Sequence, residues 1–176
     1  MFKERRIFLG SNTPDGFVGW FDQIVDNYDL KKLYILKGGS GVGKSTFIRK
    51  FVESLEPSNV EWIMCSADPA SYDGAIMPEL GLGIIDGTFP HITDPKYPRM
   101  VDEIIDLSQF IDPAKITATR GEIQTIMAQR KDCFLRAYTE LSNARELHKQ
   151  VEAVFSNAMD FNGVDELLKK LVNSYL

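Results

Sequence analysis

An apolar hexapeptide, a glycine-rich turn and an amphipathic dodecapeptide follow one another without interruption between Lys32 and Leu55. The text reads KLYILK, GGSGVG, KSTFIRKFVESL. The first block is short and apolar, as a buried strand requires. In the third, Phe47, Ile48, Phe51, Val52 and Leu55 recur at helical spacing, and Pro57 lies just beyond them as a stop. The spacing predicts a strand over 32–37 and a helix over 44–55. A buried strand passing through a tight turn into a helix packs back on its own sheet, which commits the chain to α/β architecture.

The turn has chemistry of its own. Gly38 is followed by four residues and then by Gly43, Lys44 and Ser45, the spacing of a phosphate-binding loop. Glycines let the backbone curl so that successive N–H groups point inward as a nest. The helix beginning near Lys44 adds the positive end of its dipole. Lys44 has the reach for β- and γ-phosphates, and the Ser45 hydroxyl can ligate Mg²⁺. Gly38, Gly39, Ser40, Gly41, Val42, Gly43, Lys44, Ser45 and Thr46 are therefore the expected nucleotide-binding residues. A glycine turn that binds nothing would account for the glycines but not for Lys-Ser-Thr at the helix start.

Elsewhere, RRIFLGS (5–11) reads as a strand, NTPDG as a turn, and Phe17 to Tyr28 as one apolar helix face over 16–28. VEWIMCS (60–66) and LGLGIIDG (80–87) read as further strands, with a short helix over 99–107. The order strand, helix, strand, helix, strand, loop, strand predicts a three-layer, mainly parallel sheet. The early strand is expected beside the 32–37 strand, with Asn12 and Thr13 near the γ-phosphate. From Ala114 to Leu176 there is no proline, and apolar residues keep helical spacing. One long helix or two end to end are expected over 115–158, and a last helix over 163–175, with Asn162-Gly163 as the break. A helix of forty-odd residues spans on the order of 60 Å, so the region either folds back as a hairpin or projects as an arm. The chain thus divides into a nucleotide-binding core (1–113) and a helical extension (114–176).

Composition narrows the partners. A net charge of −5 argues against free nucleic acid as the main partner. No apolar run approaches the roughly 20 residues of a membrane span, and the N-terminal text lacks a signal-peptide h-region. Cys65 and Cys133 form no metal or disulfide framework, which suits reduced thiols in a cytoplasmic protein.

A Mg²⁺ ion in such a loop is commonly helped by an aspartate at the end of an apolar strand. Asp86 in LGIIDG has that position, although Asp86-Gly87 also reads as a plain turn. Asp68 is the second candidate, just past the 60–66 strand, where SADPAS also reads as an Asp-Pro turn. No Glu follows Asp86 to polarise an attacking water. IIDGTFPH is similar to the Asp-Gly-x-Pro-Arg segment of adenylate-kinase-like enzymes, with one residue added and His91 in place of Arg, which keeps phosphoryl transfer to a small molecule open. His91 could contact phosphate, act as a base or merely fill its loop. His148 suits a solvated helix face. Arg120, Arg130 and Arg136 could reach over a nucleotide as a lid or finger, though most helical arginines face water. No Asn-Lys-x-Asp motif is present, which favours ATP over GTP.

With these segments placed, the chain resembles a bacterial family of P-loop ATPase-like proteins of undefined role, usually built from two tandem P-loop halves. The segments that carry the likeness are IFLGSNTPDGF, YILKGGSGVGKST, CSADPASYDGAIMPELGLGIIDGTFPHITDPKYP and AMDF. The resemblance implies ATP binding through Gly38 to Thr46, and roles near the nucleotide for Asp68, Asp73, Asp86 and His91. The chain corresponds to one half, so a second half or another protein is an expected partner. The leading expectation is an ATP-Mg²⁺-binding NTPase, with Lys44 and Asp86 as catalytic groups and Ser45 and Asp86 on the metal. The alternatives are a small-molecule kinase and a non-catalytic module that holds ATP as a structural ligand or switch.

Overall fold

The structure is a computed structural model describing residues 3–175. In chain order it contains β1 (Lys3–Ile7), β2 (Gly10–Thr13), β3 (Gly16–Gly19), α1 (Ile24–Tyr28), β4 (Lys32–Lys37), α2 (Lys44–Leu55), β5 (Asn59–Met64), β6 (Tyr72–Met77), β7 (Leu82–Asp86), β8 (Asp102–Asp106), α3 (Pro113–Ala118), α4 (Arg120–Ser156) and α5 (Phe161–Asn173). Six strands form one sheet in the order β1-β5-β6-β7-β4-β8. β1 and β5, β7 and β4, and β4 and β8 pair in parallel, while β6 runs antiparallel to both of its neighbours. The mainly parallel α/β sheet expected from the sequence is therefore present, with long helices after it.

Alternation along the strands builds two cores. Leu36, Val60, Trp62, Met64, Ala75, Met77 and Ile84 face Ile48 and Val52 of α2. Leu33, Ile35, Ile63, Ile76 and Ile85 face Phe21, Ile24, Val25 and Leu30 on the other side. Residues one apart on a strand thus serve opposite layers, as the period of two demands.

Several expected boundaries are corrected. Residues 16–28 are not one helix. Asp15-Gly16 reverses the chain, with Gly16 at φ 103°, and Gly16–Gly19 pairs with Gly10–Thr13 as a hairpin. A 3-10 turn (Phe21–Gln23) and the short α1 follow. The early strand does join the sheet, but beside β5, with three strands separating it from β4. The expected helix over 99–107 is instead β8, an edge strand beside β4. The buried Asp102 carboxylate accepts hydrogen bonds from Lys96 N and Tyr97 N, each at 2.6 Å, which fixes the entry to that strand. The loop expected between the 60–66 and 80–87 strands contains a further strand, β6. Gly74 lies within it, where a Cβ would stand 2.8 Å from Ile84 O of the neighbouring strand.

α4 is a single 37-residue helix. At about 1.5 Å per residue it runs for roughly 55 Å. It does not fold back as a hairpin, and its middle lies against the core through Arg130, Tyr138 and Arg145. No described residue of α3, α4 or α5 is buried. The break before α5 falls at 157–160, earlier than expected; Asn162 and Gly163 lie in its first turn, and Asp160 caps it by accepting Gly163 N at 3.1 Å.

Candidate functional site

The site forms at the C-terminal ends of β4 and β7 and the N-terminal end of α2, where an open α/β sheet places its ligand crevice. Gly38, Gly41 and Gly43 take φ values of 132°, 85° and 92°. A side chain is strained in that left-handed region, so the curl between β4 and α2 depends on glycine. Lys44, buried at the first turn of α2, donates from Nζ to Gly38 O at 2.8 Å and Gly39 O at 2.9 Å. Its ammonium stands 3.5 Å from Asp86 Oδ2. The loop, the lysine and the strand-end carboxylate predicted from sequence are thus brought together.

Asp86 is held in a defined orientation. Its Oδ1 accepts hydrogen bonds from Thr88 N at 2.9 Å and Thr88 Oγ1 at 2.6 Å, leaving Oδ2 toward Lys44. Ser45 Oγ accepts Tyr72 N at 2.9 Å and keeps a second lone pair. Hard oxygens from Ser45 and Asp86 suit Mg²⁺, which takes one or two protein ligands and fills its octahedron with phosphate and water oxygens.

Gly87 explains why no glutamate follows Asp86. A Cβ at this position would lie 2.3 Å from Ile35 Cγ2 and 3.2 Å from Thr93 O. β4 and β7 are direct neighbours, and the backbone leaving β7 presses on β4. Packing therefore forbids a water-polarising side chain directly after Asp86.

Two further candidates meet there. His91 Nε2 and Asp73 Oδ2 are 3.2 Å apart, both buried. Asp73, Asp86 and His91 each offer a ligand atom within 4.8 Å of the others. The imidazole stacks on Phe21 at a centroid distance of 4.6 Å, with Phe17 edge-on at 6.0 Å. Burial works against a charged ring, but the carboxylates of Asp73 and Asp86 outweigh it, and the His91 pKa is pushed up. Cys65 lies in the same wall, and burial is the first cause raising its thiol pKa, so it stays protonated.

These groups line a cavity of about 140 Å³ whose wall includes Lys44, Asp73, Asp86, His91, Asn12 and Arg130. Asn12 reaches it from the β2–β3 hairpin, donating from Nδ2 to Ser66 O at 3.2 Å and accepting Tyr138 OH at 3.0 Å. Tyr138 lies 126 positions away, and nothing in the sequence marks the pair. Asp68 is not brought in: it is exposed in a turn, where Oδ1 accepts Ala70 N at 3.1 Å. His148 faces Glu152 at 3.3 Å on an exposed helix surface, as expected. Of the three helical arginines, Arg130 reaches the loop, donating to Ser40 Oγ at 3.4 Å, whereas Arg136 donates to Cys133 Sγ. Thr88, Ser66 and Phe134 also help build the site without having been singled out from sequence; the Asp-x-Thr spacing of an Asx turn was the available signal for Thr88.

The model of the KAP family P-loop domain matches residues 23–172, most of the chain, from α1 to α5. The chain belongs to the KAP family of P-loop domains. No curated protein and no solved structure matches it significantly. This KAP domain is a nucleotide-binding P-loop NTPase domain, and the match includes α4 and α5 with the core. Among the described residues, no helix is long and apolar enough to cross a membrane.

Proposed function

We propose that this KAP domain binds ATP with Mg²⁺ through residues 38–46 and hydrolyses it, coupling the reaction to movement of the helical extension or of a partner. The observation that carries this reading is the position of Lys44 Nζ, which spans the Gly38 and Gly39 carbonyls at 2.8 and 2.9 Å and faces Asp86 at 3.5 Å. A buried ammonium at the mouth of a curled backbone loop is preorganised for a polyphosphate. Ser45 and Asp86 would hold Mg²⁺, which would neutralise charge on the phosphates. Lys44 would offset charge developing on the transferred phosphoryl group. Against the effect of burial, the Asp73 and Asp86 carboxylates push the His91 pKa up, a direction that suits donation to a phosphate oxygen better than proton abstraction. In this reading residues 1–113 hold the nucleotide, and residues 114–176 respond to it. A second P-loop half or another protein would be the partner.

One observation favours phosphoryl transfer as a second reading. An apolar cavity of about 500 Å³, lined by Met127, Leu135 and Lys131 among others, adjoins the phosphate cavity. The two share Phe89, Arg130, Phe134 and Tyr138. An acceptor seated there would meet the γ-phosphate end.

The test is turnover of γ-labelled ATP with Mg²⁺. Release as inorganic phosphate supports the first reading, and label in an organic product supports the second. Binding without turnover supports a purely regulatory role. Absence of ATP binding would overturn all three.

A further inference from the structure

The phosphate cavity has a permanently charged group that the loop does not supply. Arg130 stands on α4, outside the sheet, and lines the same cavity as Lys44, Asp86 and His91. Its guanidinium reaches the loop itself through Ser40 Oγ, at 3.4 Å. That is long for a hydrogen bond to a neutral hydroxyl and leaves most of its five donors unused. Among the described residues no carboxylate stands within ion-pair distance of it, although Arg145 on the same helix is paired with Asp15.

The side chain is nevertheless held. Its guanidinium lies 5.6 Å from the centre of the Phe134 ring, one turn along the helix. Tyr138, one turn further, donates to Asn12, and Arg145 bonds Asp15 at 2.9 Å. Residues 130, 134 and 138 are four apart and share one face of α4. An arginine held over a phosphate nest and left without an anion has the geometry of a group awaiting one.

We propose that Arg130 binds the γ-phosphate of ATP and thereby makes the seating of α4 sensitive to triphosphate against diphosphate. This rests on the ATP reading above. The planar fork would give two hydrogen bonds to terminal oxygens that ADP does not carry. Lys44, in contrast, serves β- and γ-phosphates together, so the two cations are separable by experiment.

The experiment measures affinities of the full chain for ADP and for a non-hydrolysable ATP analogue with Mg²⁺, by calorimetry, in wild type, Arg130→Ala, Arg130→Lys and Arg145→Ala. Arg130→Ala should weaken the analogue about tenfold or more and leave ADP within about twofold, since a charge-assisted bidentate contact is at stake. Arg130→Lys should recover part of the loss. Arg145→Ala loosens the same helix away from the cavity and should not change the ADP-to-analogue ratio as Arg130→Ala does. An unchanged ratio in Arg130→Ala, or an equal loss for both nucleotides, overturns the proposal while leaving nucleotide binding intact. A wild-type chain that binds neither ligand removes the ATP reading itself.

Discussion

Replacing Gly87 by alanine drives one methyl group into Ile35. The new Cβ would stand 2.3 Å from Ile35 Cγ2, whereas ordinary carbon contacts lie at about 3.5–4.0 Å, so more than about 1 Å must be found. Ile35 is wholly buried and packs in one cluster with Leu33, Ile63, Ile76 and Ile85, so any turn of its side chain disturbs that packing. The backbone has little room to retreat, because Gly87 N donates to Leu36 O at 3.0 Å and Thr93 O would be 3.2 Å from the methyl. Overpacking of this kind costs about 1–3 kcal/mol. For a chain of this size each kcal/mol lowers the midpoint by about 2–4 °C, so a drop of about 2–12 °C is expected by calorimetry. Asp86 is the adjacent residue, so the same displacement weakens ATP-Mg²⁺ binding in a titration. Ile35→Ala removes the opposing methyl. Alone it costs about 2–5 kcal/mol, and combined with Gly87→Ala the two should be sub-additive by about 1 kcal/mol or more. A wild-type midpoint for Gly87→Ala, with strict additivity in the double variant, would refute the steric account of Asp-Gly.

Lys44→Ala should reduce ATP affinity about a hundredfold or more, since it removes a buried cation from the phosphate mouth, and undiminished binding by calorimetry would remove the loop assignment. Tyr28 donates to Glu61 Oε2 at 2.6 Å, and burial, then that hydrogen bond and the Glu61 charge, push its pKa up to about 12. The folded value exceeds the unfolded one near 10, so this contribution is complete below about pH 10 and is lost as pH rises toward 12. In an ultraviolet titration of the native protein one tyrosine should lag the others, and Tyr28→Phe should abolish the lag. Tyr28 is only part-buried, so Tyr28→Phe should cost no more than about 1 kcal/mol in denaturant unfolding. A larger loss would show that the buried Glu61 carboxylate relies on the phenol more than on Arg5.

The loop and its flanking elements were legible because the information is local. Glycines at fixed offsets, an apolar hexapeptide and a 3.6-residue period each specify their own conformation, and α2 begins and ends at the predicted residues. Asp86 was legible for the same reason, as a polar residue closing an apolar run. The rest depended on partners distant in sequence. Asp73-Gly74 looks like a turn until β7 is beside it, when Gly74 becomes the only residue that fits. DEIID shows too short a period to separate helix from strand, and β4 decides it. The stretch from Phe17 to Tyr28 does have helical spacing, but Gly16 at positive φ turns its first part into a hairpin. That hairpin carries Asn12 to the cavity although β1 lies at the far edge of the sheet from β4.

The helical extension poses a different energetic problem from the core. No described residue of α4 is buried, and its seat consists of Arg130 on Ser40, Tyr138 on Asn12, Arg145 on Asp15 and the Phe134 ring at the cavity wall. The exposed polar contacts contribute about 0–1 kcal/mol each, and the part-buried Tyr138–Asn12 hydrogen bond about 0.5–1.5 kcal/mol. The whole seat is therefore worth only a few kcal/mol, comparable with what one ligand contributes by binding two states unequally. A helix of roughly 55 Å turns a small rotation at that seat into a displacement of many ångströms at its tip. If α4 responds to the nucleotide as proposed, that coupling needs no bistable core. It needs only a ligand whose contact with α4 differs between its bound forms, and the cavity wall beside Arg130 is where such a difference would act.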